Sequence, residues 1–271
     1  MINYTECLTR LMRDVVSRVE PLSFIDPNAV LMFGRFGRSG AEGPYATCHC
    51  LCLPESEPGY YYWRDTSTGE LTRRSEWFVP RTPQVTVGTT RVDYLISVAL
   101  PRFTDQRLRA TRKSAFYGDG EPWLAKLDTI VHELYHIDPA GAGIRQLASD
   151  DGGQSSQCHG PAFYLDVATF VKAYLRTQPD PAVYEFLRYD FAGLTARYGQ
   201  VVATTFRNFP SYPQIYLDRL AEQPCGPDTP LIVPVPPASQ PRLYTQQDVV
   251  TREFSARGTR RLPPAPRPRA A

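Results

Sequence analysis

Two histidines and a glutamate carry the chemistry that this sequence can be asked about first. Residues 129–138 read Thr129-Ile130-Val131-His132-Glu133-Leu134-Tyr135-His136-Ile137-Asp138 and contain His-Glu-x-x-His. On a helix, side chains four apart stand one turn from each other on one face, so both imidazoles can reach a single metal ion. Glu133, beside the first histidine, can hold a water there and accept its proton. The chain has four histidines in all, His49, His132, His136 and His159. A catalytic zinc needs three protein ligands and one open position. The third ligand is therefore His159, His49 or a carboxylate, with Asp138, Asp150, Asp151 and Asp166 as the carboxylate alternatives. His159 ranks first, because it precedes Gly160-Pro161 at the start of the next helix, and a helix–loop–helix can fold that start back on the motif. Gly160 allows close approach, and Phe163 can plug the space beneath. Asp138 ranks lower as a ligand but can orient a ligating histidine.

These residues need a helix to position them. Asp119-Gly120-Glu121-Pro122 reads as its start, with Asp or Gly at the cap and Pro in the first turn; Pro139 and Gly141 read as its stop. Trp123, Leu124, Leu127, Ile130, Val131 and Leu134 form an apolar stripe at helical spacing. At about 100° per residue, His132 and His136 fall nearly opposite that stripe, beside Ala125 and Thr129, which leave room above the ring nitrogens. A second helix is expected from His159-Gly160-Pro161 to about Thr177, with Phe163, Asp166, Phe170 and Tyr174 roughly on the side of His159.

Upstream, Tyr4, Leu8, Leu11, Val15 and Val19 predict an amphipathic helix over residues 3–19, ended by Pro21. β-like runs follow at 29–36 and 45–53. A hairpin is expected from Tyr60–Arg64 to 70–79 across the turn Asp65-Thr66-Ser67-Thr68-Gly69, and 92–100 is the clearest strand. The polar, basic stretch 103–120 reads as a connection that is partly helical. Residues 181–198 suggest helix, 200–206 a strand, 225–241 a Pro-rich irregular stretch and 243–254 one more element. The expected organisation is a zincin-like domain over 1–178, an extension packed on it over 179–255, and a disordered Arg/Pro tail over 256–271.

The motif and its surroundings resemble the SprT-like minimal zincins, and more closely the metallopeptidases encoded by bacteriophages and related mobile elements. The resemblance rests on Ile130-Val131-His132-Glu133-Leu134-Tyr135-His136 followed, after a loop, by His159-Gly160-x-x-Phe163, and covers about residues 85–176. It implies an α+β fold in which a small twisted, mostly antiparallel sheet packs on the motif helix and the following helix. It also implies Zn²⁺ ligands at His132, His136 and His159, and a general base at Glu133. SprT-like proteins often add a C-terminal zinc ribbon with paired Cys-x-x-Cys motifs; this chain has no such motif, and a role on protein–DNA crosslinks is not carried over.

Composition narrows the alternatives. Net charge is +2 across 271 residues, which makes no electrostatic case for nucleic acid or an anionic membrane. No apolar run approaches the roughly 20 residues of a membrane span. Residues 1–6 lack the basic-then-apolar pattern of a signal peptide, so the six cysteines are expected to stay reduced in a cytoplasm. Cys48-His49-Cys50-Leu51-Cys52 invites a metal site. Strand alternation puts the three cysteines on one face, however, and buried thiols are the expectation. Tyr60-Tyr61-Tyr62-Trp63 is expected to pack in its hairpin rather than stack on bases. Tyr135, Tyr164 and Tyr174 are the candidates for stabilising an oxyanion. The expected function is zinc-dependent hydrolysis of a protein or peptide. A zinc-stapled binding protein and a hydrolase of non-peptide bonds are the alternatives.

Overall fold

The computed structural model describes residues 1–50, 60–64, 71–78, 85–109, 111–140, 143–145, 147–148, 154–155, 159–206, 215–216 and 245–262. It is a mixed α+β structure. Helix α1 (Tyr4–Arg18) starts at Asn3, whose side-chain oxygen accepts the Glu6 amide hydrogen and whose amide donates to the Glu6 carboxylate. Tyr4, Leu8, Leu11, Val15 and Val19 are all buried in the main core, as their spacing requires.

Strand β1 (Val30–Gly37), strand β2 (Ala46–Cys50) and strand β3 (Tyr94–Pro101) form one sheet in the order β1–β3–β2. The expected antiparallel character holds for β2 with β3, but β1 and β3 pair in parallel along their whole length, from Val30↔Tyr94 to Gly37↔Pro101. The reason is topological: β3 inserts between two strands that run in opposite directions, so it must be parallel to one of them. All eight residues of β3 are buried, as suits a central strand covered on both faces.

Tyr94, Ile96, Val98 and Leu100 face the helices, whereas Leu95 packs on the other side with Phe33, Val92 and Phe206. Strand β4 (Val201–Phe206) places Val201 and Ala203 in the main core and Phe206 in the second cluster; it pairs in parallel with Ile2–Asn3 and antiparallel with strand β5 (Val249–Ser255). A Cβ on Gly34 would lie 2.8 Å from the Ala203 Cβ, so the close approach of β1 to β4 requires glycine there. Strand β6 (Gly258–Arg261) pairs with β5 and takes these residues out of the expected disordered tail. Residues 263–271, the Pro-rich stretch 225–241 and residues 51–53 lie outside the described residues. The hairpin Tyr60–Arg64 with Leu71–Phe78 is present with irregular register. No described helix is long and apolar enough to cross a membrane.

Cys48 packs against the core as expected, and His49 takes the other face of β2. There its Nε2 lies 3.2 Å from Ser97 Oγ, which also accepts from Arg35 Nε at 3.3 Å. Burial, with Arg35 adding to it, pushes the His49 imidazole down to about 4. The unfolded value is about 6.5, so between these limits the unfolded chain takes up a proton that the folded chain refuses. Stability from this group is complete above pH 6.5 and falls as the pH drops toward 4. His49→Gln should remove about 2 kcal/mol of the stability lost between pH 7 and 4.5. Urea unfolding of both proteins at the two pH values checks this; equal losses would contradict it.

Candidate metal centre

Helix α2 (Trp123–Tyr135) carries the motif. Pro122 occupies the cap position, two residues after Gly120 and three after Asp119, the expected caps, and no side chain caps the helix. His136 is the C-cap residue rather than an interior one, but its φ of −69° and ψ of −16° are still helical, so the one-turn relation to His132 survives. The chain then reverses: Ile137 bridges Ile144, and the Arg145 amide donates to the His136 carbonyl at 2.8 Å. Helix α3 (Pro161–Arg176) begins just after His159, with Gly160 at its cap in extended backbone and Pro161 in its first turn.

This arrangement brings His132, His136 and His159 together. Nε2 of His136 lies 3.2 Å from Nε2 of His132 and 3.0 Å from Nε2 of His159. One ligand atom from each of the three falls within 4.8 Å of the others. Phe163 forms the floor, its ring centroid 4.8 Å from those of His132 and His159 and 5.2 Å from that of His136. It lies in the first turn of α3, two residues after Pro161. His49 is outside the cluster, on the far face of the sheet. Of the carboxylate alternatives, Asp166 accepts the Tyr135 hydroxyl at 2.8 Å, and Asp150 and Asp151 lie outside the described residues. Asp138 does not orient His136, whose buried Nδ1 has no hydrogen-bond partner.

The donor set fits a zinc ion. Imidazole nitrogens about 2.0–2.1 Å from a tetrahedral centre stand roughly 3.3 Å apart, close to the separations of His136 from its two neighbours. Clustered ring nitrogens without a cation leave lone pairs opposed. Burial, reinforced by His136 and His159, lowers His132 to about 2; burial, with His159 and Arg145, lowers His136 to about 4. Both rings are therefore neutral at neutral pH, the form in which an imidazole can ligate a metal.

Glu133 is 6% exposed. Burial raises its carboxyl to about 7, against the pull of the Cys48 backbone hydrogen bond, Lys113 and Arg35. Strand β2 thus touches the motif helix at its glutamate. The expected space above Ala125 and Thr129 is filled. Lys113 Nζ donates to the Ala125 carbonyl at 2.8 Å and to Thr129 Oγ1, and pairs with Asp128 at 2.9 Å. Gln106 Nε2 donates to Thr129 Oγ1 at 3.1 Å, and Tyr117 to Asp128 at 2.7 Å. Helix α2 is consequently buried on nearly every side, with Thr129 and Asp128 matched by partners from the 103–120 connection and Lys126 by the Leu187 and Tyr189 carbonyls.

The structure also sorts the tyrosines. Tyr174 donates to Asp14 of α1 at 2.6 Å and Tyr135 to Asp166, whereas the Tyr164 ring lies 6.1 and 6.0 Å from the His132 and His159 rings. The cations around the centre, Arg35, Arg112, Lys113 and Arg145, had no signal in the motif; only the basic character of 103–120 hinted at two of them. No protein-family model, curated protein or solved structure matches the chain.

Proposed function

We propose that this chain is a zinc-dependent metallopeptidase of the zincin class, with an architecture like that of the SprT-like and phage-type enzymes. The observation that carries the proposal is the convergence of three imidazoles from two helices beside a buried carboxylate on the next residue of the motif. His132, His136 and His159 would hold the ion. When bound there, zinc would supply Lewis acidity toward a water and a carbonyl oxygen.

The chain's own residues supply the rest. Glu133, held by the Cys48 amide, takes a proton from the attacking water and delivers it to the departing amine nitrogen. Phe163 supports all three imidazoles from below and keeps them in one orientation. Among the described residues β2 is an edge strand, so an extended peptide pairing with its open side would run past Glu133. That edge favours a peptide over a small ester as substrate.

Metal analysis of the purified protein should find one zinc per chain. 1,10-Phenanthroline should abolish peptide hydrolysis, and zinc should restore it. A protein that binds no metal, or one that cuts peptides equally well in chelator, would refute the assignment.

A further inference from the structure

Arg112 stands at the rim of the metal centre in an unusual state. It is exposed, and its Cζ lies 3.8 Å above the centroid of the Tyr164 ring. That ring in turn flanks His159 and His132, at tilts of 26° and 33°. The guanidinium is thus fixed by an aromatic face beside two of the three imidazoles, and its charge acts on His132. Its neighbours are committed. Lys113 pairs with Asp128; Arg145 donates to the Tyr135 carbonyl at 2.7 Å and lies over that tyrosine's ring; Arg35 donates to Ser97 and to the Pro44 carbonyl. The carboxylates are committed too, Asp128 to Lys113 and Tyr117, and Asp166 to Tyr135. Among the described residues no carboxylate pairs with Arg112.

A guanidinium offers a planar fork of N–H donors that matches a carboxylate; Arg112 also hydrogen-bonds the Tyr164 side chain, and with five donors it keeps others for a ligand. We propose that Arg112 anchors a carboxylate of the substrate and makes the site selective for peptides with an acidic group near the scissile bond. This rests on the metallopeptidase reading only in taking the ligand to be a peptide. The carboxylate can belong to an Asp or Glu side chain or to a peptide C-terminus; Arg112 recognises the same chemistry in both.

The test uses the full zinc-loaded chain bearing Glu133→Gln, so that bound peptides stay intact, with and without Arg112→Gln. Fluorescence anisotropy compares three labelled peptides: a C-terminally amidated peptide containing Glu, its amidated Gln twin, and the Gln twin with a free C-terminus. At least one acidic peptide should bind about tenfold tighter than the amidated Gln peptide, and Arg112→Gln should cut that gap to about twofold. Arg112→Lys should keep only part of it, because it retains charge without the fork. Which acidic peptide shows the gap identifies the source of the carboxylate. Absence of measurable binding, absence of an acid preference, or a preference that survives Arg112→Gln would each overturn the proposal. Hydrolysis of the same peptides by the protein with Glu133 intact reports separately on the reaction. Preference without cleavage defeats the peptidase assignment and leaves the anchor standing; cleavage without preference does the reverse.

Discussion

Replacing Glu133 by Gln should lower kcat/KM on a peptide substrate by about a thousandfold, within the range that general-base catalysis contributes. That corresponds to about 4 kcal/mol of transition-state stabilisation. Zinc content should not change, because the proposed ligands are the three imidazoles. Stability should not fall either. The Glu133 carboxyl is buried and held up at about 7, so its ionised form is costly within the fold. Gln has the same size, carries no charge, and keeps an oxygen to accept the Cys48 amide. The diagnostic result is an inactive protein that is fully zinc-loaded and melts at the same temperature or higher, as expected where a site is built for chemistry at some expense to stability. A zinc-stapled binding protein would show no functional change with this variant. Loss of zinc together with activity would instead make Glu133 a structural residue.

The second large effect is expected at His159. Structural zinc sites bind with roughly 10–16 kcal/mol, and one ligand of three or four carries at least about 3 kcal/mol of that. His159→Ala should therefore weaken zinc binding by more than about a hundredfold. The consequence can be read without any substrate. At free zinc a thousandfold above its Kd, the wild-type protein gains about 4.1 kcal/mol of stability from the ion, and a hundredfold weaker site gains only about 1.4 kcal/mol. Thermal melts with and without zinc should show the shift shrink accordingly. His159→Asn is the companion variant: it keeps a short polar side chain before Gly160 but removes the imidazole. If Asn restores the zinc-dependent shift, His159 only shapes the start of α3 and the metal assignment at this position fails.

Much of this centre was legible because its geometry is local. The one-turn separation of His132 from His136 follows from the helical repeat, and Phe163 lies in the first turn of the helix that His159 precedes. The start of α3 at Pro161 and the face of α1 buried by Tyr4, Leu8 and Leu11 are likewise set by residues within a turn or two of each other. His159 ranks first as a ligand because Gly160-Pro161 marks the start of the next helix, and a helix–loop–helix can fold that start back on the motif.

What escaped was settled by segments distant in the chain. The stripe opposite the apolar face of α2 suggested open space over Ala125 and Thr129. Lys113 and Gln106 occupy it, and nothing in the periodicity of α2 encodes a partner from the preceding connection. Ile2 pairs with Val201 and β3 inserts between β1 and β2 because of how whole elements pack, not because of alternation within any strand. Tyr135, Tyr164 and Tyr174 were equivalent as residue types, and only their neighbours separate them. The sequence by itself therefore determined the histidine pair, its helical spacing and the glutamate beside it, since covalent order and backbone repeat control those. Tertiary structure alone decided which third side chain completes the cluster, that Glu133 is buried against β2, and that Arg112 rests on Tyr164. Those depend on through-space contacts whose free energy belongs to packing between elements.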